Sequence, residues 1–409
     1  MSLFSISRRH FSVILVTMLW LMIMTIGTAF AAEDFQQWLL DLRREAAARG
    51  ISTATLDNAL RGIQPLPRVI ELDQRQPEFT ETFWNYLDKR ITASRIQQGQ
   101  RLLLRHRALL ADVERRYGIP PRYLVAFWGL ETNYGSYLGS FPTVPALLTL
   151  AYDPRRSDFF RSEALDALRI IDQGHVTAAT MKGSWAGAIG QLQFLPSTFL
   201  RHAVDGDGDG KKDVWHDVQD VFASGAHYLQ QMGWKHGERW GREVRLPPRF
   251  DWNLAGIDIK KPLTDWARLG VRRVDGAPLP ATDMSGTIVL PQGHAGPAFL
   301  VYDNFEVILK WNRSINYAIA VGHLADRLVG LPPLRNGRRA DNHRLTRELA
   351  LELQQRLNAL GFDSGTADGI PGSRTRAAVR AYQQTAGLPA DGYPSLPLLE
   401  HLRRHEDAE

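Results

Sequence analysis

Apolar residues recur at three- and four-residue spacing over residues 37–49 and again over 91–117, the pattern of amphipathic helices with one buried face. A third segment differs in kind. Pro120 and Pro121 suit a helix start, and Tyr123-Leu124-Val125-Ala126-Phe127-Trp128-Gly129-Leu130 is apolar on every side, so this helix belongs inside a domain. Around residues 287–307 the rhythm changes. Ile288-Val289-Leu290-Pro291 and Ala298-Phe299-Leu300-Val301-Tyr302 flank a Gly-rich turn and read as two short strands. Residues 304–328 return to a helical pattern. The pattern predicts a mainly α protein with a small β element.

Residues 331–344 carry prolines, Asn336-Gly337 and clustered arginines without periodicity, and read as a linker. A small domain follows over 345–403 with a weak internal repeat. Leu353-Gln354-Gln355 leads to Ala367-Asp368-Gly369, and Tyr382-Gln383-Gln384 leads to Ala390-Asp391-Gly392. Some 60 residues make a marginal core, for which a three-helix module is the compact solution. The linker permits this module and the larger body, residues 34–330, to be independent.

Length and composition narrow the class. A chain of 409 residues allows two or three domains, and its apolar and charged fractions are those of a globular protein. The net charge of +5 suits an anionic envelope polymer or merely a soluble surface, and is too small to argue for nucleic acid. The absence of cysteine removes disulfides, thiolate metal sites and a lipid-attachment cysteine. At the N-terminus, Arg8, Arg9 and His10 precede an apolar run ending near Ile26, and Ala29-Phe30-Ala31 forms an A-x-A site. This predicts a signal peptide over 1–31 and export to the periplasm by either the general or the twin-arginine route. An uncleaved inner-membrane anchor is the alternative.

Glu131 follows the apolar helix and shares a face with Leu124, Phe127 and Trp128. Burial and the negative end of the helix dipole both favour its neutral form, which a general acid for glycosidic cleavage requires. An ordinary solvent-facing Glu in a last helical turn fits this segment equally well. A second segment, Gly183-Ser184-Trp185-Ala186-Gly187-Ala188-Ile189-Gly190-Gln191-Leu192-Gln193-Phe194, adds a hydroxyl, two amides and an indole on a backbone that a ligand can approach. Those groups suit a sugar ring. Tight helix packing is the other use of such glycines.

Glu131-Thr132-Asn133-Tyr134-Gly135, Ser184-Trp185-Ala186-Gly187-Ala188-Ile189-Gly190, Gln193-Phe194-Leu195-Pro196-Ser197 and Trp311-Asn312-Arg313-Ser314 occur in this order. Together they resemble the lytic murein transglycosylase B family over about residues 34–330. Asp368-Gly369-Ile370-Pro371-Gly372 and Thr375-Arg376-Ala377-Ala378-Val379 resemble the peptidoglycan-binding domain often attached to such enzymes. The resemblance implies a lysozyme-like helical core with Glu131 as the catalytic carboxyl. It places Ser184, Gln193 and Tyr134 at the sugar site and Asn312 and Tyr317 on its far wall. Trp311 stands where some members have Tyr, as a stacking contact. The implied reaction needs no cofactor and consumes no water. Glu131 protonates the oxygen between N-acetylmuramic acid and N-acetylglucosamine, then accepts the proton of the C6 hydroxyl as it closes a 1,6-anhydro ring. The implied partners are peptidoglycan strands and other cell-wall enzymes; endo- and exo-cleavage are both open. A non-catalytic wall-binding scaffold and a lysozyme-type hydrolase are the competing readings. A hydrolase needs a second carboxylate, which the matched motifs do not supply.

Asp205, Asp207, Asp209 and Asp213 occupy positions 1, 3, 5 and 9 of an EF-hand-like loop, with Lys211 at position 7, where the ligand is a carbonyl. Position 12 is His216 instead of Glu. Asp220 resembles the acidic residue with which the family closes a similar loop. The expectation is a structural calcium ion; a solvated acidic turn is the alternative.

Overall fold

The computed structural model describes residues 34–75, 81–335 and 345–406. The signal segment and residues 336–344 of the linker lie outside them. The chain divides into two compact units, which its path visits alternately.

The first unit takes residues up to 75, then 138–201 and 209–215. Its opening helix, 34–48, buries Phe35, Leu39, Leu42 and Ala46, the stripe that three- and four-residue spacing dictates. The helix Thr143–Tyr152 is apolar almost throughout and lies within this unit's core, against the amphipathic Ser157–Asp172. Buried Glu163 in the latter accepts hydrogen bonds from the Ser197 N–H (2.9 Å) and hydroxyl (2.7 Å), fixing the start of the helix Pro196–His202. A two-residue antiparallel pair, Phe141↔Gly183 and Pro142↔Lys182, anchors the Gly-rich segment.

The second unit contains the helix Pro121–Thr132, packed by Ala93–Arg105, Arg107–Tyr117 and Ile315–Leu328. The periodic run 91–117 is therefore two helices. His106 ends the first and begins the second with non-helical dihedrals, while the apolar stripe continues through the break. Likewise the run 304–328 divides into Asp303–Trp311 and Ile315–Leu328. The two predicted strands exist as Ser285–Val289 and Ala298–Val301, paired antiparallel with Ile288 opposite Leu300. They form the centre of a five-stranded sheet in the order Lys260–Pro262, Ser285–Val289, Ala298–Val301, Gly241–Arg245, Arg272–Arg273. One face buries Trp266, Phe250, Val271 and Leu263.

The C-terminal segment forms the predicted three helices, Arg347–Ala359, Ser373–Thr385 and Leu396–Glu406, around Leu353, Leu357, Val379, Leu399 and Leu402. Its repeat has a structural cause. Gln354 and Gln383 each turn an amide back to hold an Asp-Gly turn, accepting from Gly369 and Gly392 N–H groups at 2.8 Å. The module also touches the rest of the second unit. Arg380 donates to the carbonyls of Trp252 (2.9 Å) and Ala255 (3.0 Å) beside the sheet, and His294 meets Asp391.

Candidate active site

Glu131 sits in the last turn of Pro121–Thr132, half-buried, below Leu124, Phe127 and Trp128, which are 2%, 1% and 4% exposed. The helix ends in an unusual way. Asn133, Tyr134 and Gly135 all have positive φ (49°, 61° and 77°), three successive left-handed residues. Two of them carry a Cβ, at a cost of roughly 1–2 kcal/mol each. Neighbouring groups hold the turn in place. Arg95 Nε donates to Asn133 Oδ1 (3.3 Å), and the Tyr134 hydroxyl donates to the Arg95 carbonyl (2.7 Å). Gly135 N–H donates to Thr132 Oγ1 at 3.0 Å. Gly129 makes room: a Cβ there would lie 2.7 Å from the Tyr134 ring.

Two donors converge on the same oxygen of Glu131. Trp311 Nε1–H reaches Oε1 at 2.9 Å, and the Tyr317 hydroxyl makes a short hydrogen bond to it. Trp311 closes the helix Asp303–Trp311, its ring 4.4 Å from that of Phe127 and edge-on to Tyr228 at 4.9 Å. Tyr317 lies in the first turn of Ile315–Leu328, whose N-cap is Ser314. Its hydroxyl is held well above the ordinary tyrosine range, first by burial and then by the Glu131 charge, so it remains a donor. Asn312 lies between the two helices, where its Oδ1 accepts from Ser314 N–H at 3.0 Å.

Ser184 and Gln193 belong to the first unit. Isolated bridges Gly183↔Ile189 and Ile189↔Phe194 fold residues 183–194 onto themselves. Ser184 Oγ accepts from Ala188 N–H at 3.0 Å, which leaves the hydroxyl proton available to donate. Gln193 is itself left-handed (φ 51°), and its Nε2 holds the carbonyls of Leu138 and Gly190, both at 3.1 Å. Its Oε1 therefore presents the amide's acceptor. Gly187 is required as glycine: with φ 86°, a Cβ would meet the Leu147 side chain at 2.2 Å.

In the aspartate loop, carboxylate oxygens of Asp205, Asp207 and Asp209 lie within 4.8 Å of one another. The backbone also shapes the turn. Gly208 N–H donates to Asp205, Lys211 N–H to Asp209 and Trp215 N–H to Asp213. Buried Asp220 takes the Gly206 N–H at 2.6 Å.

One expectation changes on this geometry. Tyr134 is 7% exposed with its ring against Gly99 and Gly129, so it supports the Glu131 turn from inside rather than presenting a face to a sugar. Trp311 directs its indole N–H at Glu131, with its ring 4.4 Å from that of Phe127, an orienting contact that comes in addition to the expected one. Sequence reading missed Arg95 and Tyr228. Tyr228 supports Trp311 and donates to the Lys310 carbonyl at 2.8 Å. Neither carries a local signal, since each occupies an ordinary amphipathic helix.

A helical body presenting a carboxyl from an apolar helix, followed by a small helical module, is the arrangement of a lysozyme-like fold. The chain belongs to the transglycosylase SLT domain family, whose model matches residues 34–326; a putative peptidoglycan binding domain matches residues 346–402. It is accordingly a lytic transglycosylase, an enzyme that cleaves the glycan strands of peptidoglycan. It is similar to the membrane-bound lytic murein transglycosylase B of Escherichia coli, 28% identical over 322 residues that cover 75% of this chain and 86% of that one. SltB3 from Pseudomonas aeruginosa, solved in complex with NAG-anhNAM-pentapeptide, is 47% identical with a TM-score of 0.87, over 90% of this chain and 99% of that chain. The Escherichia coli lytic transglycosylase Slt35, solved in complex with calcium, is 27% identical with a TM-score of 0.62, over 72% of this chain and 92% of that chain.

Proposed function

We propose that Glu131 acts first as the acid and then as the base of a non-hydrolytic cleavage between N-acetylmuramic acid and N-acetylglucosamine. The carboxyl gives its proton to the bridging oxygen as the C1–O bond breaks. The substrate's N-acetyl oxygen stabilises C1 as an oxazolinium-like species, and the Ser184 hydroxyl orients that group. The resulting carboxylate takes the C6 hydroxyl proton while O6 bonds to C1 and displaces the N-acetyl oxygen, which regains its amide carbonyl, giving a 1,6-anhydromuramyl end. Proton count balances without water. The observation that carries this reading is the convergence of Trp311 and Tyr317 on one oxygen of Glu131, which holds the carboxyl in a single orientation. Glu131→Gln keeps the shape and the acceptor for both donors but cannot supply a proton. The variant is expected to melt like the parent and lose nearly all turnover on soluble glycan; substantial residual turnover removes Glu131 from the role.

The aspartate loop fits a hard cation. Three converging carboxylates supply the oxygen donors, and Asp220 closes the loop from the following helix. Asp205, Asp207, Asp209 and Asp213, with the Lys211 carbonyl, would hold calcium, whose contribution is to neutralise the loop rather than to assist chemistry. The basic, apolar and small-residue order of residues 8–31 supports export to the periplasm, where peptidoglycan and other cell-wall enzymes would be its partners. Among the described residues no helix is long and apolar enough to cross a membrane.

A further inference from the structure

A cavity of about 350 Å³ lies where the strands Gly241–Arg245 and Arg272–Arg273 meet the end of Ile315–Leu328 and residues 331–335. Its lining shares no residue with the set around Glu131. Two of its cations are already paired, Arg239 with Asp326 at 2.9 Å and Arg273 with Asp275 at 2.7 Å. Among the described residues, Arg242 and Arg335 then stand against Glu243, two positive charges against one negative. Arg242 has no ion pair among the described residues; its guanidinium lies over the Tyr302 ring, 5.7 Å from the centroid.

The cavity also holds buried polar atoms without partners of both kinds. Among the described residues, Arg239 Nε and Arg242 Nε are donors without acceptors, and Asp326 Oδ1 is an acceptor without a donor. His323 is 8% exposed, lines the cavity and makes no hydrogen bond among the described residues. Burial, reinforced by Arg327, holds its pKa down to about 4, so the ring is neutral and can either donate or accept. Leaving such groups unmade is costly, and a matched ligand recovers that cost. The remaining wall is partly apolar, with Trp240 and Val274. The mouth is fixed on one side, because both Glu243 carboxylate oxygens hold the Arg335 backbone N–H, at 2.9 and 3.2 Å.

We infer that this cavity binds the zwitterionic end of an amino acid or short peptide, its carboxylate facing Arg242 and its N–H donors facing Asp326. A bare anion would meet Arg242 but leave the Asp326 acceptor unmet; a bare amine would leave Arg242 unmet. The volume is in the range of small-ligand sites. Peptidoglycan carries such ends on its stem peptides, so the site would let the enzyme hold a stem apart from the glycan it cuts. Only this choice of source rests on the reading of the chain as a peptidoglycan enzyme.

The test is calorimetric titration of the full chain with D-alanyl-D-alanine, with acetate and D-alaninamide as arms that lack the amine or the carboxylate. Saturable binding of the dipeptide is expected, with both single-function probes weaker. Arg242→Gln should weaken the dipeptide by about tenfold or more, the loss of one charged contact. Glu131→Gln should bind as the parent does while losing cleavage, which separates this site from the catalytic one. Equal binding to Arg242→Gln, loss of binding in Glu131→Gln, or no binding at millimolar dipeptide overturns the assignment and leaves water as the occupant. If Arg242→Gln does not fold, the exposed Arg335→Ala and the His323 ring resonances carry the test. Dipeptide that leaves both affinity in Arg335→Ala and those resonances unmoved is again contrary.

Discussion

Glu131 is oriented by groups of two kinds, donors on its carboxyl and a clamp on the turn that follows it. The donors come from residues 180 and 186 positions further along the chain, the clamp from Arg95 on another helix. A hydrogen bond to a charged group is worth roughly 1.5–3 kcal/mol. Trp311→Phe keeps the ring against Phe127 but removes the N–H. Its kcat is expected to fall by about ten- to a hundredfold, the same free energy read as rate, with KM little changed because the lost contact is to the enzyme's own carboxyl. Steady-state kinetics on a soluble glycan checks this, and an unchanged kcat would show that Tyr317 alone orients Glu131. At this scale the sequence made Glu131 visible, because a carboxyl on an apolar stripe breaks the pattern. It did not make visible what each aromatic touches. The motif places Tyr134 at the sugar site, whereas its direction is settled by packing partners on other elements.

Periodicity located the opening helix and the runs 91–117 and 304–328, and passed over others such as Thr143–Tyr152, Ser157–Asp172 and Val218–Gln231. The stripe over 91–117 continues across His106, so a pattern based on burial cannot register a break in the backbone hydrogen bonds. The strands Lys260–Pro262 and Arg272–Arg273 are too short and too charged to alternate, and exist only as partners of the central pair. In the C-terminal module, helix pairing is tied by Glu352 of Arg347–Ala359, which binds Arg403 of Leu396–Glu406 at 2.6 Å and Arg356 at 2.8 Å. The hydrogen bond from Arg403, helped by Arg356, holds the Glu352 carboxyl down to about 2 from its ordinary 4.5. A depressed folded-state pKa contributes stability that is present above the unfolded value and lost as pH falls through the folded one. Glu352→Gln should therefore melt lower than the parent at neutral pH, with the difference shrinking below pH 4.5 and gone near pH 2. A difference that persists unchanged to the acid end would mean that packing, not charge, ties these helices.

On the scale of the whole molecule, proline, glycine and loss of periodicity mark a linker before the small module, but the contacts that the module makes were not legible in the sequence. Arg380, Gln384 and Asp391 reach backbone or side chains of residues 252–255 and 294, contacts that cross more than 90 positions. Arg380→Ala leaves two carbonyls without this donor, and unmet buried groups cost about 1–3 kcal/mol. It should lower the melting temperature of the full chain and speed proteolysis near residues 331–335; unchanged proteolysis would show that the contacts do not hold the module. Calcium should raise the melting temperature by mass action, about 2.7 kcal/mol at a hundredfold excess over the dissociation constant. Asp205→Ala with Asp209→Ala should abolish the increment, and identical melting in calcium and in chelator would favour a solvated turn.

The central claim is that one carboxyl cuts the glycan without water, and the chemistry of the new ends tests it most directly. Sacculi digested by the parent protein and analysed by mass spectrometry should yield 1,6-anhydromuramyl ends, lighter by one water than reducing ends, and Glu131→Gln should yield neither. Reducing ends as the main product would contradict the account and require a second group that activates water.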